Sequence, residues 1–324
     1  VLIGAAAALA ACAAAPSFLV LASALIAVGA MSVVAQILVP LAATLAAPEE
    51  RGEVVGSVMS GLLVGILGAR IVSGLVAEVG GFRLIFALAA GAMLVLSLVL
   101  HRMLPRVPAT EHMPYPRALR SVLELVAAEP VLRQRMALAV LQMANFTMLW
   151  TSVAFLLGAA PYGYGEAIIG LFGLAGVAGA LIAPVAGRLA DRGHGRCAMS
   201  AFLVALLLSW GLLAAGETSL VALIAGIALL DLGVQGAQIS NQSTIYELQP
   251  EARSRITTAY MVALFLGGVI GSLISASIYD AAGWGATCAL GAALAAIALG
   301  TWAVTERRLI RRAATRSSPA GGLP

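Results

Sequence analysis

The sequence predicts an all-α protein of the membrane, and three observations predict it. Of 324 residues, 61% are apolar and 10% charged, with a mean hydropathy of +1.00, a balance foreign to water-soluble domains. The apolar residues gather into ten spans, most of them close to or above the ~20 residues that carry a helix across a bilayer. All nineteen basic residues are arginines, and they collect on alternate connections between the spans, as the positive-inside rule requires.

The spans run over 1–14, 18–45, 54–77, 84–100, 136–158, 166–186, 197–215, 219–240, 256–279 and 285–305. Hydrocarbon offers no water to backbone N–H and C=O groups, so runs this long bond internally as helices; the alternation of a membrane barrel is absent. The first span starts at Val1 with no basic leader and no methionine, and is expected to be the remainder of a cut transmembrane helix, not a signal peptide. Arg102, Arg106, Arg117, Arg120, Arg133 and Arg135 flank the connection between the fourth and fifth spans. Arg188, Arg192 and Arg196 mark the next basic loop, Arg253 and Arg255 the one after, and Arg307, Arg308, Arg311, Arg312 and Arg316 the tail. The connections at Ser17, at 161–165, at Glu217 and at Gly283 carry none, and Arg83 stands alone at its turn. The basic side and the C-terminus are therefore expected in the cytoplasm of a cell with a plasma (bacterial inner) membrane. A net charge of +4 then records topology and gives no reason to expect nucleic acid. Arg117 to Glu129 alternates charge and apolar groups at helical spacing and predicts a surface amphipathic helix.

The chain repeats itself. Shifted by 202 residues, Pro48, Glu49 and Arg51 fall on Pro250, Glu251 and Arg253; Met59, Leu62, Gly65 and Ser73 fall on Met261, Leu264, Gly267 and Ser275. Glu78 falls on Asp280, Gly81 on Gly283 and Phe82 on Trp284, and Ala35, Gln36 and Ile37 fall on Ala237, Gln238 and Ile239, without a gap. Two parallel repeats joined by a basic linker are the plan of transporters built from two six-helix halves. The expected organisation is a truncated N-terminal half at 1–104 (helices 3 to 6), a cytoplasmic linker at 105–132, a C-terminal half at 133–306 (helices 7 to 12) and a basic tail at 307–324. The second half starts early enough for its counterpart in the first to precede Val1 by two helices, so ten of twelve helices are expected in this chain.

Between the second and third helices of the second half stands Gly187-Arg188-Leu189-Ala190-Asp191-Arg192-Gly193-His194-Gly195-Arg196. Glycine there lets two helices approach closely, and the aspartate can cap a helix start and meet arginines across the loop. The run resembles the signature loop of the major facilitator superfamily, and the resemblance covers essentially the whole chain. Pro48-Glu49-Glu50-Arg51-Gly52 is similar to the loop after that family's fourth helix, and Gly81-Phe82-Arg83 with Phe86 to the turn into its sixth. Asp231-Leu232-Gly233-Val234-Gln235, continuing to Asn241-Gln242, looks like the tenth helix of a bacterial subgroup described as predicted drug or sugar efflux proteins. One departure stands out: in the fifth helix, where drug:proton antiporters carry a glycine- and proline-rich pattern, Arg70 occupies the proline's place among Gly65, Ala69, Ser73 and Gly74. The resemblance implies Gly187, Asp191, Arg192 and Arg196 as a cytoplasmic gating loop that serves alternating access.

Ionisable groups inside a span cost a few kcal/mol or more and so ask for a reason. Asp231 and Arg70 both qualify, as a proton or cation carrier and as a holder of an anionic group, or else as charges that fix helix packing. Gln235, Gln238 and Gln242 follow Asp231 at helical spacing and share its face. With Gln36 on the repeat-related span, and Gln142 and Asn145 on the first span of the second half, they are the candidate lining of a substrate or proton path. Cys12, Cys197 and Cys288 suggest neither a disulfide nor a metal site, and His101, His112 and His194 lie at or beyond helix ends, so no catalytic residue, metal or cofactor is expected. With no lysine in the chain, a nucleotide-binding loop of the usual type is also missing. The expected function is a monomeric secondary transporter: proton-coupled efflux, an antiporter, of a small molecule. Uptake of a sugar or organic anion is the alternative within the class, and a non-transporting membrane receptor the alternative outside it.

Overall fold

The computed structural model describes the backbone of residues 1–32, 34, 38, 41, 45, 51–104, 115–176, 195–246, 248, 249 and 252–317. Every regular element among them is helical: α1 (Leu2–Ala14), α2 (Phe18–Met31), α3 (Arg51–Met103), α4 (Tyr115–Ala128), α5 (Pro130–Gly158), α6 (Glu166–Leu171) with a 3-10 turn over Phe172–Gly176, α7 (Gly195–Ala215), α8 (Leu220–Tyr246) and α9 (Arg253–Ser317). α3 bends at Gly81 and α9 at Gly283, so each holds two helices in series and every one of the ten predicted spans carries helix. Five of the described helices are long and apolar enough to cross a membrane, and the protein is an all-α, multi-pass membrane protein.

The two bends confirm the repeat at the level of the backbone. Gly81 has φ 64° and ψ −173°; its repeat-mate Gly283 has φ 75° and ψ −167°. A side chain is strained at positive φ, and glycine is not, so the same residue makes the same reversal 202 positions apart.

By compactness the chain forms two units, Val1–Glu111 with Tyr164–Leu174, and His112–Gly163 with Ala175–Pro324. In the first, α1 packs on α2 and α3. Arg83 donates to the Ala15 carbonyl at 2.9 Å, and Glu78 Oε1 accepts from the Ala167 amide at 3.1 Å, close to the start of α6. A cavity of about 530 Å³ in this unit is walled by Leu38, Leu41, Leu100, His101 and Leu104 among others, and among the described residues none of the candidate path residues lines it.

The second unit is built on two seams. Along α5 and α9, a Cβ at Gly267 would strike the Val140 backbone and one at Gly271 the Ala144 carbonyl. The gap that glycine leaves is closed by hydroxyls. Thr147 Oγ1 lies 2.9 Å from the Gly268 carbonyl, Thr151 bonds Ser272 at 3.1 Å, and Ser275 bonds both Ser152 and the Met148 carbonyl. Between α7 and α8, Gly233 rests on the Phe202 carbonyl and the Leu206 amide. Helices in lipid gain nothing from hiding apolar surface from one another; close backbone approach and interhelical hydrogen bonds replace that driving force. Pro130, at the first turn of α5, lacks only an N–H that would have gone unpaired there.

Candidate substrate and proton path

Asp231 stands near the middle of α8 and is 4% exposed. From α5, the Trp150 indole N–H donates to its Oδ1 at 3.3 Å. Its Oδ2 occupies the space a Cβ on Gly176 would need, so the bare glycine of the 3-10 turn makes room for the carboxyl. A Trp N–H must find an acceptor away from water, and a carboxyl in that setting needs donors; each answers the other.

Below this pair on α5 and α8 lies a buried amide network. Arg135 Nη1 donates to Asn241 Oδ1 at 3.3 Å, and Asn241 Nδ2 donates to Gln142 Oε1 at 3.2 Å. The Arg135 guanidinium lies 4.7 Å from the centre of the Trp302 ring, a cation–π distance, and Trp302 in turn donates to Ser200 at 2.9 Å. Gln142, Asn241 and Tyr260 are fully buried. Asn145 is tied at both ends of its amide: Oδ1 accepts from Trp210 at 2.7 Å and Nδ2 donates to the Leu141 carbonyl at 2.8 Å.

The candidate residues thus fall into groups. Asp231, Gln142 and Asn145 are buried in the second unit and bonded to side chains of neighbouring helices. Gln235, Gln238 and Gln242 share one half-buried face of α8, beside the buried row of Ile227, Leu230, Val234, Ala237 and Asn241. Arg196 is exposed near the start of α7, where its carbonyl accepts from Ser200. Gln36, Gly187, Asp191 and Arg192, and the side chain of Arg70, lie outside the described residues. Sequence reasoning did not find Trp150, Gly176, Arg135, Tyr260 or Trp210. For the two tryptophans the signal was present, since an indole N–H in a membrane span asks for an acceptor; for Gly176 it was not. Among the described residues, no group of His, Cys, Asp and Glu is placed to hold a metal ion.

The model of the Major Facilitator Superfamily matches residues 1–262. An uncharacterized transporter, YgaY, of Escherichia coli O157:H7 is 48% identical over 274 residues, 85% of this chain and 70% of the relative. A Streptomyces coelicolor protein described as a probable transporter, SCO4007, is 34% identical over 284 residues, 87% of this chain and 65% of its own length. Among solved structures, a bacterial homolog of the human lysosomal transporter Spinster, inward-facing and unoccupied, superposes with a TM-score of 0.71 at 15% identity, covering 96% of this chain and 82% of that one. The human organic anion transporter MFSD10 matches with a TM-score of 0.63 at 20% identity, over 93% and 75% of the two chains. Identities this low speak for the fold alone.

Proposed function

Because the chain belongs to the major facilitator superfamily of transporters, we propose that it is a proton-coupled exporter of a small organic solute, with Asp231 as the carboxyl that carries the proton. Its family makes it a transporter and not an enzyme; coupling, direction and substrate class are the added reading. The observation that carries it is the burial of a carboxyl near the middle of a membrane helix.

A charge held there costs ~3 kcal/mol or more, and a carboxyl can shed that charge by taking up a proton. Trp150 donates to Oδ1 and Oδ2 lies against Gly176, so the carboxyl is seated between α5 and the 3-10 turn, where it would take the proton or meet a donor group of the substrate. The neutral acid lets the helices reorient without dragging a bare charge across the bilayer. The carboxylate, once water reaches it, attracts a cationic or hydrogen-bond-donating solute. Proton and solute would then compete for one group, which is the simplest route to antiport. The half-buried amides of Gln235, Gln238 and Gln242 supply neutral donors and acceptors on the adjoining face. The arginine distribution supports a C-terminus on the cytoplasmic side of a bacterial inner membrane, and the reading requires only a monomer.

The test is transport by the whole protein in proteoliposomes against a panel of compounds, comparing it with Asp231→Asn and Gly176→Ala. Asp231→Asn is expected to keep solute counterflow and lose its response to an imposed pH gradient. Gly176→Ala keeps the carboxyl but pushes it from its seat, and is expected to lose most of the gradient-driven rate. Unchanged proton dependence in Asp231→Asn sinks the assignment.

A further inference from the structure

The transport path makes no use of α4, yet this helix is firmly built onto the second unit. Leu125 is buried, and Val122 and Val126 pack with it on a cluster that contains Ile256, Ala259, Tyr260 and Leu264 of α9. Arg133 Nη1 caps the last turn of α4 by donating to the Val126 carbonyl at 2.9 Å and to that of Ala127. Just beyond it, Gln249 donates to Glu129 at 2.7 Å. The helix is held in one orientation, so the directions of its other faces have meaning.

Two more ridges run along it. Leu119 and Leu123, four residues apart, are 48% and 70% exposed. Arg117, Arg120 and Glu124, spaced by three and four, form an exposed charged ridge in which Arg120 pairs with Glu124 at 2.8 Å. At about 100° per residue the leucine ridge points roughly a quarter of a turn from the core ridge, and the charged ridge roughly a third of a turn further on, nearly opposite the core. A helix lying flat against the flank of a membrane bundle meets three media: protein to one side, acyl chains above, headgroups and water below.

The depth agrees. α4 lies beside Ile256 to Leu264, within about three turns of the start of α9, and α5 leaves for the membrane at Pro130, directly after Glu129. The face of α9 turned outward at that level, Val262, Phe265 and Leu266, is itself apolar and exposed, so the leucine ridge continues an apolar surface of a helix long enough to cross a membrane. Arg133, Arg253 and Arg255 lie at the same end of the unit.

We propose that α4 is a lipid-docking helix, with Leu119 and Leu123 seated at the boundary between acyl chains and headgroups and Arg117 and Arg120 engaging the phosphates of anionic phospholipids. Interfacial helices bind through this combination of buried apolar area and attraction to anionic lipid, and each arginine near an anionic leaflet strengthens partitioning about fivefold. The composition of the membrane would thereby set how firmly one end of the second unit is held.

The experiment places single spin labels at Leu119, Arg120, Leu123 and Glu124 in the whole protein, with Cys12, Cys197 and Cys288 replaced. The labelled proteins are reconstituted in vesicles of phosphatidylcholine with or without phosphatidylglycerol, and collision with oxygen and with a water-soluble nickel chelate is measured. Labels at Leu119 and Leu123 are expected to favour oxygen and those at Arg120 and Glu124 nickel. The contrast should grow severalfold with phosphatidylglycerol and lose that growth in Arg117→Gln/Arg120→Gln. Equal nickel access at Leu123 and Glu124 overturns the docking, and so does a Leu123 label shielded from both probes, which would mean a protein partner. Insertion that ignores phosphatidylglycerol and survives the double substitution overturns the role of the arginines.

Discussion

α3 and the first part of α9 are the same hairpin written twice, and they share a backbone but not a neighbourhood. Gly81 and Gly283 turn the chain with the same φ and ψ signs and nearly the same values. Phe82, directly after the first turn, is 47% exposed, whereas its mate Trp284 is 3% exposed and donates to the Leu213 carbonyl at 2.8 Å. Among the described residues, a Cβ on Gly65 would meet nothing within 4 Å; on its mate Gly267 it would strike Val140. The carboxyl proposed to carry the proton follows the same rule, for the repeat-mate of Asp231 is Gly29. The repeat therefore preserves the path of the chain, which local conformation dictates, and leaves free the side chains whose role depends on what packs against them.

The largest effect that would sharpen this contrast is at the tight seam. Gly267→Ala, and Gly271→Ala beside it, force α5 and α9 apart and are expected to cost about 2 to 3 kcal/mol, the usual penalty of overpacking. Gly65→Ala meets no described residue within 4 Å and should gain up to ~1 kcal/mol from helix propensity. Unfolding midpoints in one detergent, read for all three variants, decide the matter. Equal losses at Gly65 and Gly267 would show that the two hairpins are packed alike, and would break the comparison.

The next effect tests what the hairpins share. Gly81→Ala and Gly283→Ala each place a methyl group at positive φ, and both are expected to cost about 1 to 2 kcal/mol, in the same unfolding assay. The two costs should match, because the strain resides in the turn and not in its surroundings; among the described residues a Cβ at either position meets nothing within 4 Å. A loss at one turn alone would mean that the shared dihedral angles are not what the repeat preserves.

These tests also mark where the sequence was legible. Glycine at a positive-φ turn is a local requirement, so the 202-residue register led straight to Gly81 and Gly283. A charge inside an apolar span is costly wherever it points, so Asp231 stood out before any neighbour was known. The periodicity of α8 placed Asp231, Gln235, Gln238 and Gln242 on one face, but it could not say which face was covered. The structure buries Asp231 at the edge of that face and leaves the three glutamines half-buried, while Asn241, off the stripe, is fully buried and bonded to Arg135 and Gln142. Trp150 and Gly176 come to Asp231 from 81 and 55 positions away along the chain, and no local rule selects them. Burial and partner choice are decided between helices, and the period of one helix carries no record of them.

The smallest effect separates an anchored aromatic from a loose one. Trp284 closes the α9 turn onto α7 through a single N–H bond to the Leu213 carbonyl, so Trp284→Phe removes one net hydrogen bond and part of a buried ring, about 1 to 2 kcal/mol. Phe82→Trp, the reciprocal change at the mate, adds an indole to a half-exposed ring beside Arg83, which stacks 5.5 Å from its centroid, and is expected to stay within ~0.5 kcal/mol of the parent. Unfolding measured for both, with Trp284→Phe/Phe82→Trp as the third variant, should give additive costs, since among the described residues Trp284 bonds Leu213 while Phe82 meets Phe86 and Arg83. If Phe82→Trp instead stabilises by as much as Trp284→Phe destabilises, the indole finds an acceptor at the first turn as well, and the neighbourhoods of the two hairpins are closer than their exposures suggest.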